Sequence, residues 1–335
     1  MRRSVINDEA LCESIIRSVF APWVSPTVSV SADAGDGIRA TREGEFVLMA
    51  VTTDRYHTRV MASPIAYQRP DPVLWDPTMR TRYADFEANG FTHLDRVLDD
   101  RQVRGCLSEV ARLGEEPELR GDERIVREKG SSAVRSIFDI ANLSLVVSDA
   151  IEESGAAAMA AEILGSQVYV HQSRLNYKPG FRGGAFYWHA DFETWHAEDG
   201  MPRPRAVSAS IALTDNHHFN GPLMVMPGSH RTFLQCAGAT PPRYFEESLV
   251  DEIPRVGVPD EQMISEQYDQ RGIEVVTGAA GSMTLFDSNL LHASAGNISP
   301  VPRANIFVVF NSVDNVLESP YCGAAPRPEF LAARR

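Results

Sequence analysis

The chain has 335 residues, 43% of them hydrophobic and 23% charged, with a formal net charge of −13. That length allows one large domain or two ordinary ones, and the composition is that of an ordinary soluble globular protein. The negative balance argues against a nucleic-acid binder, which needs a basic footprint for phosphates, and no run reaches the roughly 18–20 apolar residues that span a bilayer.

The opening MRRSVINDEALCES has two arginines but no apolar run behind them, so no secretory signal is read and a cytoplasmic protein is expected. Cys12, Cys106, Cys236 and Cys322 lie far apart without a CxxC pair. They are read as free thiols, with neither a disulfide framework nor a zinc cluster. Residues 1–62 form an N-terminal extension with short β-like pieces, TVSVS and EFVLMAV, and no site-like cluster. Either they are an appended arm, or Met61 marks the start of the working chain. Residues 63–335 are expected to form one domain.

The stretch from Ser63 to Pro77 carries Pro64, Pro70, Pro72 and Pro77 and reads as an extended linker or arm. A helix follows over Thr81–Asn89, with Gly90 placed to end it. A second begins at the caps Asp99–Asp100 and carries Val103, Leu107, Val110 and Leu113 at helical spacing. A third spans Ser148–Leu164, with Ser148 as N-cap, Asp149, Glu152 and Glu153 at the positive end of the dipole, and Gly165 at the exit.

From Gln167 onward the pattern turns to strands: VYVHQSRLNYK, RAVSASIAL, PLMVMPGS, GSMTLFD and ANIFVVFNS. Turn formers at Pro179–Gly180, Asn220–Gly221, Pro227–Gly228 and Gly278–Gly281 separate them. Helices first and short strands after make an α+β fold whose core is a sandwich, jelly roll or barrel.

The most informative segment is FYWHADFETWHAEDG, which holds His189 and Asp191. On an extended strand, residues two apart share a face, so imidazole and carboxylate can reach one cation. A third ligand from elsewhere completes the two-histidine, one-carboxylate triad of non-haem iron(II) oxygenases. Alone HxD is weak, but His292 follows the β-like segment ending in Asp287, and Arg303 opens the next strand eleven residues on. A guanidinium there could fork onto the far carboxylate of a bound 2-oxo acid such as 2-oxoglutarate, which lysine could not copy.

Among the other histidines, His217 and His218 are read as exposed, His230 as lining the rim, and His196 as at most a neighbour of the ligands. Alternation along VYVHQSRLNYK puts Gln172, Arg174, Asn176 and Lys178 on one face, and Tyr169, His171, Ser173, Leu175 and Tyr177 on the other. The first face is a solvent face or a cavity wall, in which Lys178 or Asn176 could meet the oxo acid and Gln172 a polar substrate. Arg303, Asn305 and Phe307 share a face by the same rule. Phe286 and Trp195 are core residues or part of an aromatic cage for a cationic ring.

From His171 to Asn311 the strings HQSRLNYKPGF, FYWHADFETWHAEDGMPRPRA, LTDN, NGPLMVMPGSH and NISPVPRANIFVVFNSV, followed by PYCGAAPRPEF, resemble ectoine hydroxylases of the phytanoyl-CoA dioxygenase superfamily. Weaker similarity through YADFEANGF and VRSIFDI extends the match to about residues 80–333.

The resemblance implies a double-stranded β-helix core (cupin-like) with flanking N-terminal helices, Fe(2+), and 2-oxoglutarate and O2 as co-substrates. Carried across, His189, Asp191 and His292 match the iron ligands. Lys178, Arg303 and Ser294 match the co-substrate contacts, to which the strand face adds Asn176. Gln172, Thr194, Trp195, Ser210, Phe286, Phe307 and Arg327 fall at the substrate, and Tyr187 stands where an aromatic residue is expected.

The implied reaction hydroxylates ectoine to 5-hydroxyectoine with release of succinate and CO2, in a cytoplasmic homodimer serving osmotic or heat stress. Two alternatives stay open. The same chemistry could act on another solute such as proline, or the chain could be a non-catalytic cupin-like binding protein.

Overall fold

The computed structural model describes the backbone of residues 29–32, 38–42 and 45–48, and residues 56–59, 65–119, 121–251 and 253–334. The chain divides into two compact units between Asp54 and Arg55. The first contains β1 (Ser29–Ala32), β2 (Ile38–Arg42) and β3 (Glu45–Leu48), paired as an antiparallel meander. The described parts of TVSVS and EFVLMAV fall on β1 and β3, whereas Cys12, Met61, Ser63 and Pro64 lie outside the described residues.

The second unit holds β4 (Ile65–Gln68), β5 (Phe91–Leu94), β6 (Ile125–Arg127), β7 (Val134–Phe138), β8 (Val168–Lys178), β9 (Phe186–His189), β10 (Ala206–Ala212) and β11 (Leu223–Val225). It continues with β12 (Thr232–Gln235), β13 (Glu274–Val276), β14 (Met283–Asp287), β15 (His292–Ser294) and β16 (Arg303–Ser312). Its helices are α1 (Ala84–Asn89), α2 (Asp100–Glu115), α3 (Ile140–Leu143), α4 (Leu145–Glu153), α5 (Ala156–Leu164), α6 (Asp191–Thr194), α7 (Phe245–Ser248) and α8 (Glu261–Arg271).

A large antiparallel sheet runs β5-β14-β10-β16-β8-β7-β6, and a small one runs β13-β11-β15-β9. Both faces of the large sheet are covered, and strict alternation divides its side chains. Val207, Ala209 and Ile211 of β10 and Ala304, Ile306, Val308 and Phe310 of β16 join a core with α2, α4 and α5. Phe286 and Phe307 turn the other way and pack with Leu223, Val225 and Val276 of the small sheet. Two sheets face to face with helices behind one of them is the expected α+β jelly roll.

The helices follow their end signals. Gly90, at φ 85, ends α1, and Asp99 closes a capping box with Gln102 at the start of α2. The single helix expected over Ser148–Leu164 is two. The hydroxyl of Ser144, not Ser148, accepts the Val147 N–H to cap α4, and Gly155, at φ 72, breaks the chain before α5. Glu152 and Glu153 therefore lie in the last turn of α4, not at a positive helix end. Gly165 ends α5 as expected.

The proline-rich stretch is no linker. β4 pairs with β12, Leu74 is buried in the main core, and Arg69 is buried in an ion pair to Asp287 at 2.6 Å. In β8 the register against β16 shifts between Val309, opposite Gln172, and Phe310, opposite Val170. His171 is the extra residue of this bulge. It reaches the Trp195 ring (centroids 5.4 Å) and Asp199 (3.3 Å), contrary to the simple alternation that set it opposite Gln172. Among the described residues, no helix is long and apolar enough to cross a membrane.

Candidate active site

Strand pairing brings the ligand set together. His189 ends β9, Ala190 is still extended, and Asp191 opens α6, so Asp191 sits at a helix start and not within the strand. His292 opens β15 directly opposite His189 in the small sheet. The third ligand expected from sequence, far from His189 along the chain, is thus its cross-strand neighbour.

One donor atom from each residue lies within 4.8 Å of the others. Asp191 Oδ1 is 3.6 Å from His189 Nε2, and Asp191 Oδ2 is 3.9 Å from His292 Nε2. Each ring is oriented by its far side. His189 Nδ1–H donates to the Tyr187 carbonyl at 2.7 Å and His292 Nδ1–H to the Leu290 carbonyl at 3.0 Å. A carbonyl can only accept, so both tautomers are set and both Nε2 lone pairs face Asp191.

Burial, together with the neighbouring His189, pulls the His292 imidazolium down to a pKa of about 4, leaving the neutral ligand form at neutral pH. Burial alone would raise the Asp191 carboxyl, but His292, His189 and Arg174 outweigh it and hold the group well below the usual carboxylate range. Two neutral nitrogens and one carboxylate, gathered on one side, suit a divalent iron with further positions open. The Phe286 ring, 5.1 Å from His292, buttresses this ligand from the core.

Two cavities meet at the ligands. The smaller, about 20 Å³, is lined by Asn176, Ser294, Arg303, Phe307 and both histidines. Arg303 is 1% exposed; its Nη2 donates to Asn176 Oδ1 at 2.8 Å and its Nε has no protein partner. Burial, then Arg174 and Arg135, pulls this guanidinium down to about 9. Arg174 lies 5.3 Å over the Phe307 ring. Neither Arg174 nor Arg303 forms a salt bridge with a carboxylate among the described residues. A buried positive pair of this kind is suited to an anion supplied from outside.

The larger cavity, about 110 Å³, is lined by Gln172, Tyr187, His189, Asp191, Thr194, Trp195, Glu198 and Arg327, with Arg174 shared. Arg327 donates from Nε and Nη2 to the two oxygens of Asp199, both at 2.7 Å. Gln172 Nε2 donates to the Leu331 carbonyl at 2.6 Å.

Not every expected residue reaches a cavity. Lys178 is buried with its ammonium on the Gly184 carbonyl and 4.8 Å over the Phe186 ring. The Ser210 hydroxyl accepts from Asn305 Nδ2 at 3.0 Å, inside the sheet. Phe286 backs His292, and Phe307 lines the smaller cavity and not the larger.

His230 is fully buried beneath α1, not on the rim, with its Nε2–H donating to the Glu87 carbonyl at 3.2 Å. His196 donates to the Met201 carbonyl and stacks on Tyr321 (centroids 4.3 Å), away from the ligand cluster. His218 is exposed and His217 half-buried.

Sequence reasoning placed Arg174 on the right face but gave it no role. Glu198 and Asp199 carry no such local signal, although the string FETWHAEDG that holds them is buried except for the half-buried Thr194.

Residues 86–305 match the family Phytanoyl-CoA dioxygenase (PhyH). The chain is 50% identical over 281 residues to the ectoine dioxygenase of Nocardia farcinica, covering 84% of this chain and 94% of that one. It is 44% identical over 292 residues to the ectoine dioxygenase of Streptomyces avermitilis, covering 85% and 98%. The crystal structure of EctD from S. alaskensis with 2-oxoglutarate and 5-hydroxyectoine aligns with TM-score 0.73 at 42% identity, over 84% of this chain and 95% of that one.

Proposed function

The chain belongs to the phytanoyl-CoA dioxygenase family, and from its 50% and 44% identity to two ectoine dioxygenases we propose that it hydroxylates ectoine to 5-hydroxyectoine, using iron(II), 2-oxoglutarate and O2 and releasing succinate and CO2. The observation that carries this reading is the meeting of the three donor atoms at the junction of two unlike cavities, one basic and small, the other lined by aromatic and mixed-charge groups.

In this reading His189, Asp191 and His292 hold the metal. Bound there, iron(II) supplies the oxidative decarboxylation of 2-oxoglutarate and the transfer of one oxygen atom to a substrate carbon. Arg303 takes the distal carboxylate of 2-oxoglutarate through its free Nε edge, with Asn176 holding the guanidinium and Ser294 beside it. Lys178 contributes from behind, by fixing the Gly184 turn.

Ectoine carries a cationic amidine ring and a carboxylate. Trp195 offers its indole ring to the cation, Glu198 a carboxylate shared with Arg59, and Arg327 keeps Nη1 for the carboxylate while Asp199 holds its other edge. Gln172, Thr194 and Tyr187 line the same space. A homodimer in the cytoplasm belongs to the same proposal and rests on the family resemblance; the catalytic unit runs from Arg55 to Arg335, eight residues longer than the 63–335 expected from sequence.

The test is mass spectrometry of ectoine incubated with the protein, iron(II) and 2-oxoglutarate in air. A product heavier by one oxygen atom, with an equivalent of succinate, is expected. Turnover of proline with ectoine left intact would replace the substrate. Solute binding without succinate would replace the enzyme by a binding protein.

A further inference from the structure

Arg59 lies upstream of the residues that match the family, in a stretch whose sequence shows no chemistry. In the fold it is one of the most enclosed cations, with a side chain 1% exposed. Its Nε and Nη2 fork onto Glu193 at 2.8 and 2.6 Å, and its Nη1 donates to Glu198 at 2.7 Å and to the Thr240 hydroxyl at 2.8 Å. Glu193 belongs to α6 and Glu198 to the π-helical turn Trp195–Asp199 that continues it. Between the two carboxylates stand Thr194 and Trp195, both facing the larger cavity.

One guanidinium therefore spans the junction at which the helix widens, a kind of bulge that is frequent at functional sites. Gly257, at φ 80, lies against the same group and also lines the larger cavity; a Cβ there would run into the Arg59 guanidinium. Neither Arg59 nor either glutamate lines the smaller cavity.

We propose that Arg59 is a positioning residue of the substrate wall. By bridging Glu193 and Glu198 it holds Thr194 and Trp195 against the solute, while the 2-oxoglutarate side stands without it. A lysine can pair with one carboxylate but cannot fork onto Glu193 and reach Glu198 together. This inference rests on the assignment of the larger cavity to ectoine.

The experiment compares wild type with Arg59→Lys, and with Glu193→Gln in case the first variant does not fold. It reads thermal midpoint, KM for ectoine and for 2-oxoglutarate separately, and the ratio of succinate to hydroxylated product. It adds ectoine binding to the metal-free protein, followed by tryptophan fluorescence. The expected result is a KM for ectoine raised about tenfold and binding weakened alike, since charged hydrogen bonds of this kind govern about that factor. The KM for 2-oxoglutarate should stay within about twofold, and succinate should exceed product.

Variants that melt earlier but keep wild-type ectoine KM, binding and coupling would reduce Arg59 to a stability element and overturn the proposal. Equal rises in both KM values would overturn it too. A wild type that leaves ectoine unchanged would sink the substrate assignment, and this inference with it, whereas an active wild type beside indistinguishable variants sinks the role of Arg59 alone.

Discussion

The two sides of the site are built by different means. The side proposed for 2-oxoglutarate is a wall of paired backbone: β8 against β16 in one long ladder, with Arg303 opposite Lys178 and Asn305 opposite Asn176. The side proposed for the solute adds to Gln172 of β8 and Tyr187 of β9 a set of short pieces, namely the Asp191–Asp199 turn, the tail around Arg327 and Leu331, and the segment at Arg59, joined largely by side-chain ion pairs and single hydrogen bonds. A ladder distributes its support over many bonds. An ion-paired wall concentrates it in a few guanidinium groups, each of which leaves a buried carboxylate exposed to loss of its partner.

The largest effect should come where the walls meet. Asp191→Ala removes the carboxylate that faces both histidines, and turnover should fall on the order of a thousandfold, about 4 kcal/mol. The anaerobic visible band that iron(II) and 2-oxoglutarate produce should vanish with it; a variant that kept the band would break the ligand assignment. Next, Arg303→Lys keeps the charge but not the fork. The loss of one charge-assisted hydrogen bond, about 1.5–3 kcal/mol, should raise the KM for 2-oxoglutarate by roughly 10- to 100-fold and leave the KM for ectoine nearly unchanged. A comparable rise in both would show that the walls are not independent.

This contrast also explains what could be read from the sequence. Period-two alternation in β8, β10 and β16, the HxD pair and the caps at Asp99 and Gly90 are local signals, because strand faces and helix ends are determined within a few residues. The strand that bears Arg303 and the cluster at His189 were legible for that reason. Arg59 meets Glu193 across 134 residues and Arg327 meets Asp199 across 128, and nothing in either string indicates its partner. The bulge at His171 and the break at Gly155 were hidden differently: one residue out of register, or one glycine in a left-handed conformation, redirects an otherwise regular pattern.

Stability separates the walls in the same way. Arg327→Ala strands the Asp199 carboxylate in a buried site, which should cost about 3–5 kcal/mol and raise the KM for ectoine as well. Ser210→Ala removes one hydrogen bond from the sheet, that of Asn305 Nδ2, and should cost about 1 kcal/mol. Urea denaturation of both variants checks the ranking. If Ser210→Ala proved as damaging as Arg327→Ala, the sheet side would be no more robust than the ion-paired one.

The smallest effect on turnover, and the sharpest separation of the walls, should come from acid. His230 supports the sheet side: its carbonyl and that of Thr232 accept from Asn289, in the turn that leads to His292. Burial, only partly offset by Asp287, lowers the His230 pKa from 6.5 to about 4. Above pH 6.5 the ring is neutral whether folded or not and contributes no pH dependence. As pH falls from 6.5 toward 4 the unfolded chain takes up a proton that the folded one refuses, so stability drops, by about 3 kcal/mol once the pH is below 4. Asp199 acts in a lower window. Burial would raise its carboxyl, but Arg327 and His171 outweigh it and hold the pKa below 3.8, so its contribution is intact above that value and lost only beneath it. Urea midpoints measured between pH 7 and pH 4 should therefore fall for wild type and for an Asp199→Asn variant in parallel. They should fall less for His230→Gln, whose activity at neutral pH should match wild type. A His230→Gln variant with an unchanged acid slope would move the sheet side's weak point elsewhere.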